Sequence, residues 1–233
     1  MVLNRRLFIK SLICASLLLG LWQGSPTLRA QSRFDAEVQR MLDRDKTSPP
    51  PRQGILFIGS SIFRLWTGFS EQMAPLPAFN RAFGGSQTQD MIDRVGQLVV
   101  PFQPRIIVYY CGSNDVNAGA TAEAIIGRTK QFLAIVREKL PATMVYYTAI
   151  QKAPDKRARW DVVDAVNREM ERYSHEAKNL GYIDLNPVLF KGGVVRQDLF
   201  LPDNLHFRPE STAYAEFTAV VKPVLTKTWE SAK

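Results

Sequence analysis

Cysteine and histidine are both scarce in this chain of 233 residues, with two of each. Cys14 lies in the amino-terminal leader, so a mature chain would keep only Cys111 and could form no internal disulfide. Cys111 ends an apolar, strand-like run, which points to a buried inert thiol rather than a nucleophile. With so few sulfur and imidazole ligands no zinc cluster can be drawn, and neither a metal nor an organic cofactor is expected. Walker and dinucleotide glycine motifs are absent, as is the Gly-x-Ser-x-Gly elbow of α/β-hydrolases. There are no internal repeats. The longest apolar run, Ser11 to Trp22, is short for a membrane span.

Charge is lopsided rather than high. Of the net +8, residues 1–30 contribute Arg5, Arg6, Lys10 and Arg29 with no acid, leaving 26 basic against 22 acidic residues elsewhere. That excess is too mild for nucleic-acid binding, and no basic stripe is interleaved with aromatics. The one basic cluster, Lys152 to Arg159, reads as a solvated loop or as a rim attracting anionic substrates. The leader itself has the form of an export signal: Arg5-Arg6, an apolar stretch, then polar residues to Ala30. Asn4 to Lys10 resembles a twin-arginine signal read by export machinery. Cleavage after Ala30 gives a periplasmic or extracellular protein; an uncleaved leader leaves a membrane anchor.

Residues 31–53 read as a lead-in helix, with Phe34, Val38 and Met41 at helical spacing, and a stiff Thr47-Ser48-Pro49-Pro50-Pro51 connector. From residue 54 to 233 one domain is expected. Apolar runs at Ile55–Ile58, near Pro77–Phe83, and at Ile106–Tyr110, Met144–Thr148 and Tyr182–Leu185 alternate with amphipathic stretches. One helical stripe holds Ile125, Thr129, Phe132, Val136 and Leu140; another runs from Val163 through Val166, Met170, Tyr173 and Ala177 to Leu180. Pro209 suits a first helical position before Tyr214, Phe217 and Val221, and Pro223 is expected to kink or restart that helix. The pattern predicts an α/β domain, a three-layer doubly wound sheet of about five parallel strands, with its site beyond the carboxyl ends of the strands.

Four short segments carry chemistry. Gly59-Ser60-Ser61 follows the first strand, and either serine is a candidate nucleophile or a plain helix cap. Phe83-Gly84-Gly85 follows the second and can expose backbone amides; Ser86 and Thr88 beside it fit turn-stabilising hydroxyls. Gly112-Ser113-Asn114-Asp115 follows the third: Asn114 can donate to an oxyanion, while Asp115 can cap the turn or orient Asn114. Asp203 and His206, three apart between Pro202 and Pro209, can form a base and its orienting acid. His175 falls on the polar side of a helix and is not expected to take part.

Together, in this order, the segments resemble the SGNH hydrolase superfamily, also called GDSL esterases and lipases, over residues 55–225. The resemblance implies a flavodoxin-like SGNH fold with Ser61 as nucleophile and Asp203 and His206 completing the triad. It also implies an oxyanion hole made by the Ser61 and Gly85 amides and the Asn114 side chain. Ser60 departs from the family's usual aspartate. The Gly-Ser-Ser form with Trp66 nearby is similar to a bacterial branch related to platelet-activating-factor acetylhydrolases. A serine esterase acting on short acyl esters, of small molecules or polysaccharides, is expected. An acyltransferase sharing the acyl-enzyme and a catalytically silent carbohydrate-binding domain are the alternatives.

Overall fold

Apolar runs without polar alternation must be covered on both faces, and here they pair into one parallel sheet. The computed structural model describes residues 33–231, so the predicted export signal lies outside the described residues. The strands are β1 (Ile55–Gly59), β2 (Ala78–Asn80), β3 (Ile106–Tyr110), β4 (Met144–Thr148) and β5 (Leu180–Ile183), in the spatial order β2-β1-β3-β4-β5. All four pairings are parallel, and Gly59 at the end of β1 lies beside Tyr110 at the end of β3. This is the expected α/β doubly wound sheet of five strands. Its order reverses between β1 and β3, where such sheets open a crevice.

The helices are α1 (Asp35–Thr47), α2 (Ser61–Arg64), α3 (Phe69–Met73), α4 (Thr88–Leu98), α5 (Ser113–Asn117), α6 (Ala122–Lys139), α7 (Trp160–Glu176) and α8 (Ala213–Ser231). Side-chain alternation along the strands divides the core in two. Leu56, Ile58, Ile107, Tyr109 and Val145 join Val38, Met91, Phe132 and Val166 on one face. Ile55, Phe57, Ile106, Val108 and Tyr110 join Phe63, Met73 and Phe217 on the other. The lead-in helix belongs to the first layer. It buries Phe34, Val38 and Met41, each contributing roughly 1.5–3 kcal/mol through lost apolar surface. Ion pairs from Asp35 to Arg94 and Asp45 to Arg81 hold it against the segment after β2.

Three element boundaries differ from the sequence pattern. The second strand is only Ala78–Asn80, the part of the Pro77–Phe83 run that finds hydrogen bonds on β1. The α7 stripe stops short of Leu180. Ala177 is extended and Asn179 adopts φ 55°, which reverses the chain so that Leu180 opens β5. Strand β5 therefore begins and ends two residues earlier than the apolar run suggested. At the carboxyl end, Pro209 sits in a turn closed by Ser211 N–H to the Arg208 carbonyl, and α8 begins only at Ala213. Helix α8 runs unbroken through Pro223, so it does not restart there. The residue four earlier, Ala219, is exposed, so its unpaired carbonyl can be hydrated, while buried Val221 and Leu225 hold the helix to the sheet.

Candidate active site

The chain leaves β1 through a glycine that no other residue can replace. Gly59 has φ 144°, and a Cβ there would stand 1.8 Å from the Tyr110 carbonyl oxygen on β3. This close approach lets the Ser60 amide donate to that same carbonyl at 3.0 Å and turns the chain directly into α2. We expect Gly59→Ala to destabilise the protein by about 3 kcal/mol. For a chain of this size that is a fall of roughly 6–12 °C in the thermal midpoint, measured by circular dichroism. A shift of a degree or less would mean that the turn tolerates a side chain.

Helix α2 is a single turn, shorter than the stretch to Trp66 that the sequence suggested, because its outer carbonyls are taken by other elements. The Asn80 amide donates to the Phe63 carbonyl at 2.6 Å, and the buried Tyr214 hydroxyl donates to the Ile62 carbonyl at 2.8 Å. Ser61 stands at its first position, where the backbone N–H has no acceptor within the helix.

The two serines are now distinguishable. The Ser61 hydroxyl lies 2.8 Å from Nε2 of His206. The Ser60 hydroxyl is buried and has no hydrogen-bond partner among the described residues. His206 Nδ1 lies 2.7 Å from Oδ2 of Asp203. The other carboxylate oxygen, Oδ1, accepts the amides of Leu205 and His206, each at 3.0 Å. Burial pushes the Asp203 carboxyl up, but the hydrogen bonds from the His206 ring and the two amides outweigh it. The net effect holds Asp203 below its ordinary value. An ionised Asp203 fixes the imidazole proton on Nδ1, so Nε2 accepts from the serine hydroxyl.

The two glycine- and asparagine-bearing segments are locked together. Gly85 takes φ 76°, and the Arg33 guanidinium donates to its carbonyl at 2.8 Å. One N–H of the Asn114 side chain donates to the Ser86 carbonyl at 2.9 Å, leaving the second free to bind elsewhere. Ser86 does serve as a turn hydroxyl, 3.0 Å from the Phe83 carbonyl and 3.1 Å from that of Gly59. Thr88 instead reaches across to the Gly112–Asp115 segment: its hydroxyl donates to Oδ1 of Asp115 at 2.6 Å and its amide to Oδ2 at 3.0 Å. Asp115 is buried, with Arg128 3.3 Å away as counter-charge. It therefore orients Asn114's loop against the glycine loop. Among the remaining candidates, His175 is exposed on α7, away from this constellation. Cys111 is a free, buried cysteine whose thiol burial pushes well up.

A further feature next to the site has no signature in the sequence. The Lys152–Arg159 stretch is not simply a solvated loop. Residues Pro154–Arg159 form two short 3-10 turns kinked at Lys156, which is buried beside Asp155.

The sequence profile of the GDSL-like lipase/acylhydrolase family matches residues 57–213, which spans all four segments. The chain belongs to that family. The SGNH hydrolases, as the family is also known, are serine hydrolases of ester bonds. Among relatives, the cattle (Bos taurus) platelet-activating factor acetylhydrolase IB subunit alpha1 is 34% identical over 96 residues. That match covers 39% of this GDSL chain and 40% of the relative, so the chain spans well under two thirds of the relative's length. A GDSL-like lipase from Bacteroides thetaiotaomicron superposes with a TM-score of 0.69 at 17% identity, over 82% of this chain and 98% of its own. A carbohydrate esterase family 3 protein from Talaromyces cellulolyticus superposes with a TM-score of 0.60 at 18% identity, over 76% and 98% of the two chains. At such identities the structural likeness shows the shared fold.

Proposed function

We propose that this GDSL-family protein is an exported serine esterase that removes short acyl groups, acetyl above all, from carboxylic esters. The observation that carries the reading is the continuous line of hydrogen bonds from Ser61 Oγ through His206 to Asp203. Ser61 attacks the ester carbonyl, and His206 Nε2 takes its proton. The imidazolium returns that proton to the departing alcohol as the carbon–oxygen bond breaks. Water, activated by the same nitrogen, then attacks the acyl-Ser61 ester, releasing the carboxylic acid and restoring the hydroxyl. The tetrahedral oxyanion of each step is bound by the Ser61 amide, the Gly85 amide and the second N–H of Asn114.

Each finer element has its own support. Short acyl groups fit a chain without a long apolar insertion to form a lid or acyl tunnel. They also fit a relative named for acetylhydrolysis and a structural neighbour named as a carbohydrate esterase. Acetylated envelope or environmental polysaccharides are therefore the substrate class. Export rests on the Arg5-Arg6 leader. A panel of p-nitrophenyl esters from acetyl to palmitoyl, with acetylated oligosaccharides beside it, tests the assignment. Turnover is expected to be highest for acetyl and to fall steadily with chain length. A maximum at eight carbons or longer would make the protein a long-chain lipase instead.

Asn114→Ala is expected to lower kcat by about 100- to 1,000-fold with little change in KM, the usual cost of one oxyanion donor. A loss below tenfold would leave Asn114 with a structural part only.

A further inference from the structure

Lys156 is almost completely buried, and its ammonium meets the Asp155 carboxylate at 2.5 Å. Burial outweighs the Asp155 contact and holds this lysine below its ordinary value. An ammonium out of water demands a fixed counter-charge, so Lys156 pins the Asp155 side chain in place. The other oxygen of that carboxylate accepts from the Asn117 side-chain amide at 2.7 Å. Asn117 closes α5, the one-turn helix that carries Asn114. The backbone amide of Asp155 points the other way and donates to the Asn204 carbonyl at 3.1 Å. Asn204 lies between Asp203 and His206 in a left-handed conformation, φ 58°. Its amide is held by the Leu201 carbonyl at 2.9 Å and its side-chain oxygen by Gln197 at 2.5 Å. One residue thus touches both halves of the site: the helix bearing the oxyanion asparagine and the loop bearing the base.

We propose that Asp155 is a positioning residue that sets the His206 loop against the Asn114 helix, with Lys156 as its buried counter-ion. This rests on the roles given above to Ser61, His206 and Asn114. The halves come from different parts of the chain, α5 following β3 and the Asp203–His206 loop preceding α8. A displacement of the order of 1 Å between them would lengthen the Ser61–His206 hydrogen bond and tilt Asn114 away from the developing charge. Substrate binding before the reaction would be little affected, so the change belongs in kcat and not in KM.

The test measures kcat and KM for p-nitrophenyl acetate on the full chain, with working sites counted by fluorophosphonate labelling. Proton NMR follows the far-downfield resonance of the His206–Asp203 hydrogen bond. Asp155→Ala is expected to lower kcat per labelled site by about 30-fold, leave KM within about twofold and broaden that resonance. Asn117→Ala removes one exposed partner and leaves the fold intact; a loss of about three- to tenfold in kcat is expected. The double variant Asp155→Asn/Lys156→Met keeps an acceptor for Asn117 and replaces the ammonium with an apolar chain. It is expected to recover kcat to within about threefold of the natural protein. Unchanged kcat and an unchanged resonance in Asn117→Ala overturn the proposal, even where Asp155→Ala fails to fold. A folded double variant as slow as Asp155→Ala overturns it too. Retained activity in Ser61→Ala would instead sink the underlying site assignment, whatever the Asp155 series shows.

Discussion

Ser61→Ala is expected to abolish turnover of a short p-nitrophenyl ester, a loss on the order of a million-fold in kcat. Among the described residues only the Ser61 hydroxyl meets His206 Nε2, and Ser61 alone of the two serines opens α2 with a backbone N–H beside its own nucleophile. The methyl group of alanine fits where the Ser61 side chain already is, so the folded state should survive and substrate should still bind. Ser60→Ala makes the control. The Ser60 hydroxyl is buried without a partner among the described residues, so its removal should leave activity within a few-fold and stability nearly unchanged. Labelling with a fluorophosphonate, followed by peptide mapping, should place the adduct on Ser61. Activity that survives Ser61→Ala and dies in Ser60→Ala would reverse the assignment.

The contrast between these neighbours explains what could and could not be read from the chain. Continuous apolar runs and period-3.6 stripes are local properties. They located β1, β3, β4 and the cores of α6 and α7, because the apolar side chains at those positions have only one way to leave water. Local patterns fail where a chain reversal is set by backbone conformation. Asn179 in the left-handed region ends the α7 stripe before Leu180, although apolar spacing continues through it. The four motif segments were visible for a different reason. Each follows a strand or precedes the last helix, and a parallel sheet gathers such turns at one edge. The residues alone left open which serine faces the histidine, and only the family resemblance named Ser61, because the neighbouring side chains leave the backbone in different directions and the turn at Gly59 sets which one meets His206.

Asp155 and Lys156 were invisible for a third reason. A run of basic residues ordinarily marks solvent, and nothing in Lys152–Arg159 announces that one lysine is folded inward beside the adjacent aspartate. Nor does the sequence say that Asn117, thirty-eight residues earlier, will meet it. Long-range polar contacts of this kind are set by tertiary packing and leave no periodic trace. The same holds for Thr88 and Asp115, where the bond joins the second and third motif segments and converts two turns into one rigid rim.

Asp203→Asn is expected to lower kcat by up to about 10,000-fold while the fold and KM change little. The carboxylate does two things at once. Oδ1 accepts the Leu205 and His206 amides, which shape the loop, and Oδ2 accepts the imidazole Nδ1 proton, which selects the tautomer. An asparagine oriented with its oxygen toward the two amides keeps the loop. Its NH2 then faces Nδ1, so the ring is favoured with its proton on Nε2, where it cannot take the serine's proton. Because the Asp203 carboxyl lies below its ordinary value, its contacts are intact at neutral pH. They contribute stability above the unfolded-state value and lose it as pH falls through the depressed folded-state one. Thermal midpoints of the natural protein and Asp203→Asn should therefore differ most near neutrality and converge in acid. Nearly half of the Asp203 side chain is exposed, so the stability difference should be small beside the loss of rate. A variant that loses stability but keeps its rate would show that the loop, and not the proton on Nδ1, is what Asp203 governs. His206 would then take its orientation from another acceptor.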